Sequence, residues 1–153
     1  MYTSNIPYFP RWDFVQSVQQ TKDGEYIIAG NTNSNDGDVS GNNGSSDYWI
    51  VKLDNSGDIV WQKCLGGSGD DIAASVQQTN DRGYIIAGYT NSTDGYVSGN
   101  NGSSDYWIVK LDDKGEIMWQ KCLGGSGEDQ ANYVQQTKDG GYIIAGDTDS
   151  SDR

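Results

Sequence analysis

The sequence predicts an all-β fold of the β-propeller type: four-stranded antiparallel blades in tandem, about two and a half 58-residue repeats, and so an incomplete ring in one chain. Four observations lead there. Ser17-Val18-Gln19-Gln20-Thr21 returns as Ser75-Val76-Gln77-Gln78-Thr79 and as Tyr133-Val134-Gln135-Gln136-Thr137, 58 residues apart each time, and a fixed period of this size marks stacked repeat units. The chain is lean in aliphatics but rich in turn and aromatic residues, with 21 Gly, ten Tyr and five Trp, the mixture of short strands and frequent turns. No stretch is free of Gly and rich in Ala, Leu, Glu and Lys, so no substantial helix is expected. Finally, each repeat divides into four extended runs, the content of one propeller blade.

The second copy shows the elements in order. Ala74 to Thr79 is a polar first strand. A turn at Asn80-Asp81-Arg82-Gly83 leads into Tyr84-Ile85-Ile86-Ala87-Gly88. The other copies carry Lys22-Asp23-Gly24-Glu25 and Lys138-Asp139-Gly140-Gly141 at that turn, and Asp-Gly between extended runs is a strong hairpin signal because Gly accepts positive φ. A polar loop, 89–104, follows. Asp105 to Asp112, a turn at Asp113-Lys114-Gly115, and Glu116 to Leu123 make a second hairpin. Gly124-Gly125-Ser126-Gly127 is expected to be a flexible connector. The runs Tyr-Ile-Ile-Ala and Tyr-Trp-Ile-Val are continuously apolar, which predicts middle strands covered on both faces. The first and last strands are more polar and are expected to be wetter. That pattern suits a sheet stacked between similar sheets. A β-sandwich or stacked-sheet solenoid is the alternative.

The expected organisation is a cap or edge segment at 1–12, blade repeats at 13–70 and 71–128, and the first half of a third blade at 129–153. Pro7 and Pro10 suit an edge or cap, since proline removes a ladder donor. Propellers close with about 4–8 blades, so the expected partners are other copies of the chain or further blades; an open stack would leave exposed edges.

The net charge is −12. Nucleic acid and anionic lipid, which bind through Lys and Arg, are not expected partners. No apolar run approaches the ~20 residues of a membrane span, and the N-terminus lacks the basic and apolar regions of a signal peptide. Cys64 and Cys122 occupy one repeat position and are expected to be small buried hydrophobes, neither disulfide-bonded nor metal-binding.

Candidate chemistry is sparse. Asn33, Asn35, Asp36 and Asp38, with Asp94 in the second copy, are candidate Ca²⁺ ligands, because oxygen ligands around a Gly turn suit that ion; the glycine, however, sits one place off EF-hand spacing. The loops offer Asn42, Asn43, Tyr96, Asn100 and Asn101 as candidate ligand contacts. The absence of histidine excludes a Ser-His-Asp triad. Asp70-Asp71 and Glu128-Asp129 pair carboxylates, as sugar hydrolysis requires, but beside Gly-rich connectors they read as turn residues. Asp13, Asp71 and Asp129 recur at one repeat position, which suggests a structural hydrogen bond to the connector backbone. Trp49, Trp61, Trp107 and Trp119 lie inside apolar strands and are expected to pack between blades rather than stack on sugars.

The motifs DGGYIIAG at 139–146, DYWIVKLD at 47–54 and 105–112, and WQKCLGGSG at 61–69 and 119–127 resemble the blade repeats of bacterial and archaeal secreted or cell-surface proteins. The hairpin around them is also similar to the quinoprotein-type blade. The resemblance implies a β-propeller, an extracellular or cell-surface location, and a non-catalytic binding or structural scaffold with a protein or glycan ligand. No position matches the cofactor-binding residues of quinoproteins, so no cofactor is implied. The alternative is part of a glycan-active or other enzyme whose catalytic residues lie outside this chain.

Overall fold

The computed structural model describes residues 10–151. Most of the expected cap at 1–12 falls outside these residues, as do 152 and 153. Among the described residues there are ten strands and no helix: β1 (Asp13–Gln20), β2 (Tyr26–Thr32), β3 (Asp47–Leu53), β4 (Ile59–Leu65), β5 (Asp71–Gln78), β6 (Tyr84–Thr90), β7 (Asp105–Leu111), β8 (Ile117–Leu123), β9 (Asp129–Gln136) and β10 (Tyr142–Thr148). They form two four-stranded sheets, β1 to β4 and β5 to β8, and the hairpin β9–β10. Every neighbouring pair is antiparallel. Among the described residues the three sheets follow one another without closing a ring, as an incomplete propeller does.

Local chemistry sets each hairpin. Gly24 and Gly140 hold φ of +86° and +89°, and the hydroxyls of Thr21 and Thr137 donate to Asp23 and Asp139 to close the turn. Arg82 stands at the equivalent place with φ 70°, a left-handed conformation that costs an L-residue about 1–2 kcal/mol. A register shift between Val15 and Ser17, repeated between Ala73 and Ser75, bulges the first strand. Opposite the bulge a backbone carbonyl crowds the partner strand: a Cβ on Gly88 would run into the Ile72 oxygen. This is why the apolar run Tyr-Ile-Ile-Ala ends in glycine.

The core lies between sheets. Ile27, Ala29, Tyr48, Ile50 and Leu65 of the first sheet meet Ala73, Val76, Ile86, Trp107 and Val109 of the second. Trp107 is fully buried, its ring 4.5 Å from that of Tyr48, whose hydroxyl donates to the Trp107 carbonyl at 2.8 Å. A second cluster joins Ile85, Ala87 and Ile108 to Ala131 and Val134 of the third sheet. Strands β6 and β7 are therefore covered on both faces, which accounts for their unbroken apolar runs. The tryptophans divide by position. Trp61 packs edge-on against Tyr84 at 5.8 Å, and Trp119 against Tyr142 at 5.7 Å. Trp49 is half-buried on the outer face of the first sheet.

Two strands depart from the sequence expectation. β5 has no exposed residue despite its polar residues, because β1 and β9 flank it. β10 repeats the apolar run of β2 and β6 yet is largely exposed, since no sheet follows it among the described residues.

The polar residues of the first strands stitch neighbouring sheets together. Ser17 Oγ and Gln19 Oε1 accept from the backbone N–H of Val76 and Gln78 at 3.2 and 2.6 Å. One period on, Ser75 and Gln77 accept from Val134 and Gln136 at 3.3 and 2.6 Å. In return Gln78 and Gln136 accept from the turn N–H of Lys22 and Asn80, both at 2.9 Å. The Ser and Gln residues of the Ser-Val-Gln-Gln run thus satisfy backbone donors that would otherwise be left unpaired.

Candidate functional site: the loop face

The loops after β2 and β6, at 33–46 and 91–104, share one end of the stack with the connectors 66–70 and 124–128. The connectors are not flexible links, contrary to the sequence expectation. Gly67 N–H donates to Asp71 Oδ2 at 2.8 Å, Ser68 to Asp94 Oδ1 at 2.7 Å, Gly69 to Ser92 Oγ at 2.9 Å and Asp70 to Asn91 Oδ1 at 2.6 Å. The Gly66 carbonyl accepts from Tyr96 N–H at 3.0 Å. Behind, the connector is tied to its own sheet through Ser45 N–H on Gly69 O at 3.1 Å and Asp71 N–H on Ser46 O at 2.6 Å. Much of the pattern recurs at the next connector: Gly125 N–H donates to Asp129 Oδ2 at 2.9 Å, Gly127 N–H to Ser150 Oγ at 3.0 Å, and Glu128 N–H to Asp149.

Beneath the clamp lie paired carboxylates. Asp71 accepts from the Thr90 hydroxyl and, at 2.9 Å, from Ser92. Asp47 Oδ2 accepts from Asn43 N–H at 2.9 Å, while its Oδ1 is buried with no hydrogen-bond partner, as is Oδ1 of Asp105. Both Asp47 and Asp71 face Gly66: a Cβ there would lie 2.8 Å from Asp47 Oδ1 and closer still to Asp71 Oδ2. At Gly124 the corresponding distances are 2.6 Å to Asp105 Oδ1 and 2.5 Å to Asp129 Oδ2. Burial, partly offset by the Asn43 hydrogen bonds and reinforced by the neighbouring Asp71 charge, pushes the Asp47 carboxyl up to about 6. Burial raises Asp71 and Asp105 as well.

Four of the five candidate Ca²⁺ ligands are tied into separate contacts. Asn33 Oδ1 accepts from Trp12 N–H at 2.7 Å, the same clamp that Asn91 makes on Asp70. Asn35 Oδ1 accepts from Gly41 N–H at 3.1 Å. Asp36 pairs with Arg11 at 2.7 Å, Asp38 borders a groove on the outer face of the first sheet, and Asp94 holds Ser68. These contacts do not gather the five into one oxygen cage, and among the described residues no group of three or more acidic or sulfur side chains is placed to hold a metal.

The candidate loop contacts divide in two. Asn42 and Asn100 shape their own loops, accepting from Gly44 and Gly102 N–H at 2.9 and 3.1 Å and donating to the Thr32 and Ser92 carbonyls at 3.2 and 3.1 Å. Asn43 and Asn101 direct their backbone N–H onto Asp47 and Asp105. Tyr96 is different. It is 51% exposed and lines a groove of about 400 Å³ between adjacent sheets, with Lys63, Leu65, Glu116 and Ile117. Lys63 and Glu116 form an ion pair across this groove at 2.6 Å.

Residue-level reading missed Asp47 and Asp105, which stand inside the DYWIVKLD motif. Their recurrence one period apart was the available signal, masked by the apolar residues that follow. The recurrence of Asp71 and Asp129 did mark a hydrogen bond to the connector backbone. The two cysteines are free, and burial, with Asp47 and Asp105 nearby, pushes their thiols up to about 12. They are poor nucleophiles at neutral pH.

No protein-family model matches the chain. It is similar to the regulatory protein FlaEY of Caulobacter vibrioides, 25% identical over 142 residues that cover 86% of this chain. The chain spans about 15% of the length of that relative.

Proposed function

We propose that the chain is a non-catalytic propeller-type repeat segment, a binding or structural scaffold at the cell surface or outside the cell, which offers its loop face to a protein or glycan. The connector clamp carries this reading. Consecutive backbone N–H groups from Gly67 to Asp70 are each fixed by a side chain of the following repeat. A face ordered before a ligand arrives loses less entropy on binding. The buried Asp and Asn residues build that platform, and Tyr96 stands out from it beside a groove, where an aromatic face suits a sugar ring or an apolar side chain. The extracellular placement rests on the likeness of the blade motifs to those of surface proteins. A regulatory role, the one in the name of FlaEY, would be exercised through the same face.

Glycan-array and protein-ligand screening of the chain tests this. A ligand whose affinity falls about tenfold or more in Tyr96→Ala is expected, the loss of a central aromatic anchor. Substrate turnover by this chain alone, or a ligand indifferent to Tyr96→Ala and to substitutions at the loop tips, would overturn it.

A further inference from the structure

The described residues leave two unlike outer faces, and the interior of the stack shows what each is shaped to meet. Between the first and second sheets, Ile27 and Ala29 pack with Ala73, Val76 and Ile86. One period on, Ile85 and Ala87 pack with Ala131, Val134 and Ile144. Each set occurs once more, uncovered among the described residues. At the β10 end Ile143 is 58% exposed, with Ala145 exposed beside it. At the β1 end Val15 and Val18 are 57% and 63% exposed. Val15 and Ile28 border an open apolar groove of about 540 Å³ together with Trp49, Val51 and Leu53. Trp49 and Val51 are the repeat equivalents of Trp107 and Val109, which the first sheet buries.

We infer that the β9–β10 end of one copy of this chain docks on the outer face of the first sheet of a second copy. Ile143 and Ala145 then take, against Val15, Val18 and Ile28, the places that Ile27 and Ala29 take against Ala73, Val76 and Ile86. The polar contacts match in kind. Gln135 is next in the series of Gln19 and Gln77, and the Gln20 N–H corresponds to the donors on Gln78 and Gln136. One position departs: Tyr133 stands where Ser17 and Ser75 accept a hydrogen bond, so the contact gains an aromatic ring and loses that acceptor. A second copy is the occupant because the exposed face reproduces one that this chain already covers with its own repeat. The contact joins unlike surfaces, so two copies meeting at both ends close a ring, and otherwise the contact propagates. Three sheets from each copy would fall within the 4–8 sheets at which propellers close.

The inference names a partner for the proposed scaffold, and its failure is separable: a strictly monomeric chain that still binds a glycan or protein through the loop face overturns self-docking alone. Sedimentation velocity of the chain from micromolar to near-millimolar concentration is expected to show reversible association. Val18→Lys and Ile143→Lys should each be folded by circular dichroism and monomeric, because every contact needs both surfaces. An equimolar mixture of the two should form a dimer, since the intact β10 end of Val18→Lys meets the intact β1 face of Ile143→Lys. A wild-type chain that stays monomeric throughout, as it would if the β1 face served a different occupant, overturns the inference. So does a mixture that fails to pair, or single variants that associate like wild type.

Discussion

Single residues set the connector geometry, and Gly66 is the sharpest case. Asp47 and Asp71 both occupy the space a Cβ on Gly66 would need, and Asp71 is held by the very N–H of Gly67 that the turn must place. Gly66→Ala forces a methyl group into both carboxylates, neither of which is a flexible chain end. A loss of about 1–3 kcal/mol in chemical denaturation is expected, the scale of an overpacked buried site; a loss below about 0.5 kcal/mol, the surface-substitution scale, would mean that the carboxylates move aside freely. The same pair governs pH dependence. Asp47 has a folded-state value of about 6 against an ordinary 3.8, so the folded chain binds a proton more tightly than the unfolded chain does. Its contribution is favourable below about pH 4 and is lost as pH rises through about 6, and Asp71 and Asp105 pull in the same direction. Asp23 and Asp81 act oppositely. Hydrogen bonds from Thr21 and Thr79 hold them low, Asp81 at about 2, so stability falls again in stronger acid. Maximum stability is therefore expected on the acid side of neutrality. Asp47→Asn should flatten the slope between about pH 4 and 6 and stabilise the chain at pH 7 by about 1–3 kcal/mol. An unchanged slope in Asp47→Asn would show that another group titrates there.

At the scale of the element, much of each strand was legible and its surroundings were not. The hairpin turns follow from Asp-Gly chemistry visible in three residues, and Gly24 and Gly140 adopt the positive φ that chemistry requires. The burial of β6 and β7 follows from their unbroken apolar runs. The burial of β5 does not, because it depends on which strands lie beside it, and the exposure of β10 was hidden for the same reason. The connector read as flexible because its four residues carry almost no side chain; the groups that fix it, Asn91, Ser92 and Asp94, lie more than 20 residues further on. The glutamines belong here too. Gln77 looked like a solvated strand residue, yet it accepts from the backbone of Gln136 on the next sheet at 2.6 Å. Gln77→Leu keeps the size and removes the acceptor. A loss of about 1–2 kcal/mol is expected, the cost of an unmet buried donor, and faster amide exchange at Gln136 should accompany it. Slow exchange at Gln136 in Gln77→Leu would mean that the strand edge is protected by other means.

For the whole molecule, the stacking makes stability a property of neighbours rather than of single sheets. Among the described residues the second sheet has a covered face on each side, and the first and third have one. In such arrays stability is approximately a sum of unit and interface terms. Removing residues 129–153 leaves the eight strands of the first two sheets intact but uncovers Ile85, Ala87 and Ile108, now buried against Ala131 and Val134. It also removes Gln136, which accepts from Asn80, and the Asp149 and Ser150 clamps on the second connector. The shortened chain should melt well below the full one, and its loss should concentrate in the second sheet: amide exchange at Ile85 and Ala87 accelerates more than at Ile27 and Ala29, whose partners Ala73 and Val76 remain. Uniform acceleration across both sheets would mean that the stack unfolds as one body, with the interfaces too strongly coupled to be lost singly.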